Sequence, residues 1–239
     1  MTNDTTNDIT HDAPNDTTHE GANQAAEGEK ALSVAVLGAG NIGRPLGCHW
    51  TAAGHTVTFG SRAPERLAAF TDPLGERATA TTHAEAVAAS DIVLLAVPHP
   101  ALGELLDGLG DLLAGKVVVD ATSPIGVGAD GLFVSELGPG TTQGSWLAER
   151  LPGTAVARAF THFPDELLWS RGTAQRHFWG MGTAYDDPRA GRAVERLVLD
   201  AGFVPVRIGG LATPELDPGG VLFGYVSTPA GLRAAAARG

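Results

Sequence analysis

Three glycines at a fixed spacing, Gly38, Gly40 and Gly43, are the residues of this chain best suited to a defined chemistry. They directly follow the apolar run 32–37, and the amphipathic stretch 42–53 comes next. A turn of this kind between a strand and a helix aims backbone N–H groups at a pyrophosphate, and each glycine removes a side chain that would obstruct it. The spacing therefore predicts a dinucleotide-binding loop. The loop consists of Gly38, Ala39, Gly40, Asn41, Ile42 and Gly43.

The end of the next apolar run, residues 55–59, indicates which dinucleotide the loop would bind. A site for NAD places an aspartate or glutamate about 20 residues beyond the first glycine, where it binds the ribose hydroxyls. This chain has Ser61 and Arg62 there instead. A hydroxyl and a guanidinium are donors that match a 2'-phosphate, and a missing carboxylate removes a source of repulsion. The sequence therefore predicts NADP(H) as the cofactor, with Ser61 and Arg62 on its 2'-phosphate.

Two further loops are expected at the same edge of the fold. Val97 and Pro98 end one apolar run, and Thr122, Ser123 and Pro124 follow the next. Because the carboxyl ends of parallel strands meet at one edge of a sheet, both loops should face the cofactor. We expect Val97 and Pro98 to border the cofactor, and the second loop to position the nicotinamide ring.

His162, which follows the apolar run 154–160, is the candidate catalytic residue of this chain. An imidazole titrates near neutral pH, so His162 could donate the proton that reduction of an imine or a carbonyl requires. A lone histidine is, however, more often a hydrogen-bonded structural residue. The sequence leaves both roles open.

Short apolar runs alternate with amphipathic stretches along residues 32–208. Strands are predicted at 32–37, 55–59, 91–97, 116–121, 154–160, 177–183 and 203–208. Helices are predicted at 42–53, 64–70, 84–89, 101–113, 143–150 and 188–201. A run such as 92–97, apolar on both faces, belongs in a parallel sheet covered by helices on each side. The pattern predicts a doubly wound, mostly parallel α/β sheet, a Rossmann fold, with a small C-terminal α/β extension.

The chain is predicted to divide into three segments. Residues 1–30 are rich in Asn, Asp and Thr, form a low-complexity acidic tail, and are expected to be disordered. Residues 31–160 would form the NADP-binding domain, and residues 161–239 would complete the sheet and the acceptor pocket. Within the last segment, the Pro- and Gly-rich stretch 212–224 is expected to fold over the cofactor edge as a loop.

Charge and hydropathy exclude several classes of partner. With 27 acidic and 16 basic residues the net charge is -11, which repels nucleic acid and anionic membranes alike. No apolar run reaches the roughly 18 residues that span a bilayer, and no secretory leader is recognisable. We therefore expect a cytoplasmic protein that binds small molecules, with no metal site.

Several motifs together resemble one known family. They are AVLGAGNIG at 35–43, GHTVTFGSR at 54–62, LAVP at 95–98, VDATSPI at 119–125 and LPGTAVARAF at 151–160. Over about residues 32–225 the chain resembles the NADP oxidoreductases that depend on the deazaflavin coenzyme F420. The resemblance implies a homodimer that passes a hydride between NADP(H) and that coenzyme. It also implies that residues 38–43 hold the pyrophosphate, that Ser61 and Arg62 hold the 2'-phosphate, and that Pro98 borders the adenosine side.

The hydride acceptor is the part of the prediction that the residues constrain least. Relatives commonly read Asn-Pro-Leu after the fifth strand and Phe-Asn-Thr after the sixth, whereas this chain has Ser-Pro-Ile at 123–125 and Phe-Thr-His at 160–162. Two alternatives to a deazaflavin acceptor therefore stay open. One is an NADPH-dependent reductase of a small imine or carbonyl metabolite, with His162 as the acid. The other is a non-catalytic NADPH-binding sensor built on the same fold.

Overall fold

A large mixed sheet organises the described part of the chain, residues 30–239 of a computed structural model. The strands are β1 (Ser33–Leu37), β2 (Thr56–Gly60), β3 (Ala78–Thr81), β4 (Ile92–Leu95), β5 (Val117–Asp120), β6 (Ile125–Val127), β7 (Phe133–Ser135), β8 (Ala155–Arg158), β9 (Gly180–Tyr185) and β10 (Val204–Gly209). Eight of these strands form the sheet, in the order β10-β9-β8-β5-β4-β1-β2-β3, and β6 and β7 form a separate antiparallel hairpin. Neighbours in the sheet are parallel, except that β8 pairs antiparallel with β9.

Eight α-helices connect or cover the strands in the same part of the chain. They are α1 (Gly43–Ala52), α2 (Ala68–Thr71), α3 (His83–Ala88), α4 (His99–Leu109), α5 (Gln143–Arg150), α6 (Asp165–Ala174), α7 (Pro188–Asp200) and α8 (Pro229–Ala236). Short 3₁₀ turns occupy Pro64–Leu67, Asp72–Leu74 and Gly110–Leu113. The predicted acidic tail, apart from its last residue, lies outside the described residues.

The central strands are apolar on both faces because helices cover both sides of the sheet. All four residues of β4 are buried, as are residues 34–37 of β1. On one side the core includes Trp50 of α1, whose Nε1 donates to the carbonyl of Leu197 in α7 at 2.8 Å. That bond satisfies the indole N–H in an otherwise apolar layer and fixes α1 against α7.

The order of the strands creates a crevice between β1 and β4. From β1 the chain builds β2 and β3 on one side, and it then returns to place β4, β5 and β8 on the other. Loops that leave the carboxyl ends of β1 and β4 consequently diverge, and ligands of doubly wound folds bind at such a switch point. The glycine loop 38–43 follows β1, and residues 96–98 follow β4.

The predicted fold class is confirmed, with corrections to several elements. The helix predicted over 64–70 is instead a 3₁₀ turn followed by the four-residue α2. The helix predicted over 101–113 begins earlier, at His99, and changes to a 3₁₀ turn at Gly110, which has a φ of 48°. The strand predicted to reach residue 160 ends at Arg158, because Phe160 has a φ of 63° and turns the chain away from the sheet.

Four elements were not predicted as such. Strand β3 has the sequence ATAT, which contains no large apolar residue, and the hairpin β6–β7 is largely exposed, so neither shows a clear apolar pattern. Helix α6 (DELLWSRGTA) has only a weak amphipathic pattern. Prediction from apolar periodicity fails where an element buries few apolar side chains or buries them without a regular spacing.

Residues 32–239 form one compact unit, and the strands β9 and β10 extend the large sheet beyond β8. The division of this unit at residue 160 stays a prediction. Within residues 30–239, no helix is long and apolar enough to cross a membrane.

Candidate functional site

The turn after β1 packs so closely against β4 that a side chain has no space at its first position. Gly38 has a φ of 108°, and a Cβ on it would lie 2.4 Å from the carbonyl oxygen of Ala96. The backbone of this turn is therefore held against the end of β4, at the floor of the crevice. Only glycine meets both the conformational and the steric requirement there.

The other two glycines of the motif differ from each other. A Cβ on Gly43 would lie 1.9 Å from the carbonyl oxygen of Gly38 and 2.9 Å from Cγ1 of Val36, so Gly43 lets α1 start directly against the strand. A Cβ on Gly40 would meet no atom within 4 Å, because this face opens to solvent. Gly40 is thus free for the approach of a ligand, beside the N–H groups of the first turn of α1.

From this loop a cleft of about 640 Å³ runs across the carboxyl ends of the strands. Gly38, Ala39 and Gly40 line it after β1, and Ser61 and Arg62 line it after the neighbouring strand β2. The cleft thus joins the two groups of residues that the sequence assigned to the pyrophosphate and the 2'-phosphate. A nucleotide needs such a continuous surface between its phosphates.

The part of the cleft lined by Ser61 and Arg62 offers hydrogen-bond donors to a ligand. Ser61 is fixed by its N–H, which donates to the carbonyl of Thr81 at 2.9 Å, and its Oγ accepts from the N–H of Ala63 at 3.1 Å. The Ser61 hydroxyl hydrogen therefore points away from Ala63 and can be donated to a ligand. Arg62 is exposed beside it and lines the same cleft.

The wall of the cleft opposite β2 is mainly apolar. Ala96, Val97 and Pro98 leave the end of β4, and Ala101 and Leu105 of α4 continue the surface. The strand predicted over 91–97 ends at Leu95, so Val97 lies in the wall rather than in the sheet. An apolar wall beside a polar end suits a nucleotide, whose flat base and charged phosphates need different surroundings.

A buried cluster of charges lies beyond this cleft and was not predicted. Arg158, only 1% exposed, forms ion pairs with Asp120 at 3.1 Å and with Asp217. It also donates to the carbonyl of Thr122 at 3.0 Å, while Oγ1 of Thr122 donates to Asp120 at 2.7 Å. Gln143 joins the cluster by donating its N–H to Asp217 and its side-chain amide to Thr122.

This cluster attaches three loops to one another. Asp120 ends β5, Arg158 ends β8, and Asp217 belongs to the loop that follows β10. Burial raises the pKa of the Asp120 carboxyl, while the guanidinium of Arg158 and the Thr122 hydrogen bonds oppose the rise. Charges this deeply buried need every partner, so the loop carrying Thr122 is held in place. A charged residue at the end of each of the runs VVVD and AVAR was the sequence signal for this pair.

His162 is enclosed in the protein, with both ring nitrogens occupied. It is 1% exposed; Nε2 accepts from the N–H of Gly182 at 2.8 Å, and Nδ1 lies 3.2 Å from the carbonyl of Tyr225. The bond from Gly182 requires the neutral tautomer with hydrogen on Nδ1, which can then donate to Tyr225. Burial lowers the pKa of His162 to about 4. This geometry gives the predicted proton-donor role no support.

The structure brings some of the predicted site residues into one cleft and leaves others outside it. Those that line the cleft are Gly38, Ala39, Gly40, Ser61, Arg62, Val97 and Pro98. Ile42 and Gly43 begin α1 beneath the loop, and the side-chain amide of Asn41 donates instead to Asp165 at 2.7 Å. Thr122 is taken up in the charged cluster, and Ser123 and Pro124 lead from it to the hairpin β6–β7.

Several residues that line the cleft were not predicted, among them the polar Thr82 and His83. Thr82 and His83 follow β3, so finding them required recognition of a strand that the apolar pattern does not show. Among the described residues, no group of three or more His, Cys, Asp and Glu side chains could hold a metal ion.

Comparison with known proteins agrees with this geometry. Residues 33–124 match the family described as NADP oxidoreductase, coenzyme F420-dependent. The family resemblance is confirmed for this segment. The matched segment includes the glycine loop, Ser61, Arg62, Val97 and Pro98, so it spans the whole cleft. The class of enzyme predicted from the sequence, an NADP-dependent oxidoreductase, is that of the matched family.

Two curated relatives and one solved structure extend the match. The F420-dependent NADP reductase of Methanothermobacter thermautotrophicus is 31% identical over 57% of this chain and 64% of its own length. Metalloreductase STEAP3 of Rattus norvegicus is 28% identical over 77% of this chain and 35% of its own length. This chain therefore spans about a third of one relative and under two thirds of the other. A hypothetical protein from Sinorhizobium meliloti shares the fold, with a TM-score of 0.72, 28% identity, and coverage of 82% of this chain and 95% of its own.

Proposed function

We propose that this protein binds NADPH in the cleft and transfers its hydride to a flat acceptor, the deazaflavin coenzyme F420. One observation carries the cofactor half of the proposal. The backbone of Gly40 is open to a ligand, whereas Gly38 and Gly43 on either side are packed against other backbone atoms. Gly40 lines the same cleft as Ser61 and Arg62. The acceptor half is supported by the family match over residues 33–124 and by the relative from Methanothermobacter.

The residues of the cleft fit NADP(H) by charge and by shape. The backbone at Gly40 and the start of α1 would hold the pyrophosphate, whose negative charge suits the N-terminal end of that ten-residue helix. Ser61 and Arg62 would bind the 2'-phosphate with a neutral and a charged donor. Val97 and Pro98 would lie against the adenosine half.

Bound NADPH would supply the hydride, so the protein needs to orient the rings rather than move protons. The charged cluster around Arg158 keeps the loop of Thr122, Ser123 and Pro124 in one position at the carboxyl edge of the sheet. We assign this loop the positioning role expected from the sequence. Proximity and orientation account for most of what such a transfer requires.

The enclosed state of His162 favours the deazaflavin over the imine and carbonyl alternatives. Reduction of an imine or carbonyl usually calls for an acid at the reacting atom. His162 is neutral near pH 7, fully buried, and bonded at both ring nitrogens to backbone. Hydride transfer between two ring systems requires no such acid at the reacting carbon, and the proton that completes reduction of the acceptor can come from solvent.

An anaerobic absorbance assay tests the proposal. Purified protein is mixed with NADPH and oxidised F420, and the deazaflavin absorbance is followed. We expect rapid loss of this absorbance. In Arg62→Ala the loss of a charge-assisted bond, about 1.5–3 kcal/mol, should raise KM for NADPH about tenfold to a hundredfold with little change in kcat.

Arg192→Ala is a matched control, because Arg192 is an exposed arginine on α7 that does not line the cleft. It should behave as the unchanged protein. Tight NADPH binding without loss of deazaflavin absorbance would contradict the acceptor and leave the cofactor proposal in place. A sensor without turnover, or another acceptor, would then be favoured.

A cytoplasmic location and a homodimer complete the proposal. The second rests on the family resemblance. The hairpin β6–β7 offers a surface for it, since Val127, Leu132 and Phe133 are 68%, 65% and 55% exposed. Contiguous apolar side chains at a surface are typical of a protein contact.

A further inference from the structure

His83 lies in the part of the cleft lined by Ser61 and Arg62, and it has no part in the proposed hydride transfer. It is the first residue of α3, separated from β3 by Thr82, and lines the cleft together with Ser61 and Arg62. A Cβ placed on Gly60 would lie 3.0 Å from Cδ2 of His83. The imidazole is therefore packed on the carboxyl end of β2, and Ser61 and Arg62 directly follow that strand.

The surroundings of His83 disfavour a charge on the ring while the cleft is free. Burial and, after it, the positive charge of Arg62 lower the pKa of His83 below its ordinary value, and the carbonyl of Gly60 opposes this in part. The nearby acids do not compensate. The carboxylate of Glu85 accepts from the N–H of Thr82 at 3.1 Å and from the Thr82 hydroxyl at 2.7 Å. Glu104 lines the cleft from α4.

We propose that His83 is a second cationic ligand of the 2'-phosphate, so that binding of NADP(H) is coupled to protonation of this imidazole. The inference rests on the proposed cofactor. A phosphate dianion beside Arg62 would offset the positive charge that, after burial, disfavours protonation of the ring, and its own negative charge would favour the protonated form. The protonated ring would then donate to a phosphate oxygen. NADH carries no 2'-phosphate and would leave His83 neutral.

The direction of the pH effect follows from this coupling. The pKa of His83 is low in the free protein and higher in the complex, so affinity for NADPH rises as the pH falls through the higher value. The gain ends once the pH is below the lower value. Each unit by which binding raises the pKa corresponds to about a tenfold gain in affinity. Protonation of the 2'-phosphate itself, with a pKa near 6, acts in the opposite direction and must be separated by a variant.

Titration calorimetry with NADPH and with NADH, at pH 8 and at pH 6, tests the inference without any acceptor. The variants are His83→Gln, which removes the charge, and His83→Phe, which keeps a flat ring. His177→Asn is a histidine control that does not line the cleft. Retained binding of NADH by the variants shows that they are folded. Runs in two buffers of different ionisation enthalpy measure the protons taken up.

We expect NADPH affinity to improve about tenfold more between pH 8 and pH 6 in the unchanged protein than in His83→Gln. His83→Phe should resemble His83→Gln, and NADH affinity should change in neither. Equal pH dependence and equal proton uptake in the unchanged protein and in His83→Gln would overturn the inference. The inference would also be overturned if His83→Gln weakened the binding of NADPH and of NADH equally and His83→Phe restored both. That result would mean that His83 stacks on the adenine.

The same data separate this inference from the proposed function. If the unchanged protein binds neither nucleotide, the cofactor proposal fails and the role of His83 fails with it. If NADPH binds with the His83-dependent proton uptake but F420 is not reduced, only the acceptor proposal fails.

Discussion

Substituting alanine at Gly43 and, separately, at Gly40 should damage two different properties of the protein. At Gly43 the new Cβ would lie 1.9 Å from the carbonyl oxygen of Gly38, far below the roughly 3.3–3.6 Å of a close C···O contact. The Cα of residue 43 and the Gly38 oxygen both belong to the backbone, so the turn after β1 and the start of α1 must move apart. Overpacking of this kind costs about 1–3 kcal/mol, and the backbone clash places Gly43→Ala near 3 kcal/mol.

The melting temperature should report this cost directly. For a domain of about 200 residues each kcal/mol corresponds to about 2–4 °C, so Gly43→Ala should melt about 6–12 °C lower. At Gly40 the new Cβ meets no protein atom within 4 Å, and the melting temperature should not fall. The methyl group would instead occupy the approach of the pyrophosphate. Loss of one charge-assisted bond would weaken NADPH binding about tenfold to a hundredfold.

Gly103→Ala is the control for both measurements, because Gly103 lies within α4 with open space around it. It should keep NADPH affinity and gain up to about 1 kcal/mol from helix propensity. Thermal unfolding and nucleotide titration on the three variants complete the assay. Unchanged NADPH affinity in Gly40→Ala would refute the placement of the pyrophosphate, and unchanged melting of Gly43→Ala would refute the close packing of α1.

Two further predictions concern the buried polar groups. Arg158→Met should lower the free energy of unfolding by about 3–5 kcal/mol, because Asp120 and Asp217 lose their buried partner; a urea titration that finds less than about 1 kcal/mol would contradict this. His162 has a folded pKa of about 4 against 6.5 for the ordinary group, so unfolding takes up a proton between these values and stability is lost as the pH falls from 6.5 towards 4. The loss should reach about 2 kcal/mol at pH 5 and should be smaller in His162→Gln, as urea titrations at pH 7 and pH 5 would show.

The glycine turn between β1 and α1 could be predicted from the sequence because its requirements are local. Gly38 and Gly43 are demanded by contacts with residues close in the chain or at the end of a neighbouring apolar strand. Arg62 sits at a fixed distance from that loop in any fold of this kind. Such short-range constraints leave a visible spacing of residue types.

The charged cluster of Arg158 and the environment of His162 could not be predicted in the same way, because their contacts are long-range. Asp217 meets Arg158 across 59 positions, from a loop without apolar periodicity. His162 bonds the backbone of Gly182 and Tyr225, and backbone partners leave no mark in the sequence. His83 follows β3, a strand of alanine and threonine that shows no pattern of burial.

The attachment of the loop after β10 has a consequence for how this chain can diversify. Asp217 holds that loop to Arg158 and to the N–H of Gln143, and Leu211 accepts from Thr142 at 2.8 Å. Within residues 218–225, Leu222 is fully buried and a Cβ on Gly220 would lie 2.3 Å from the carbonyl oxygen of Pro214, so substitutions fit best at the exposed Val221 and Tyr225. Directed evolution of this loop would therefore vary Val221 and Tyr225, keep Asp217 and Leu222 fixed, and leave the glycine loop untouched.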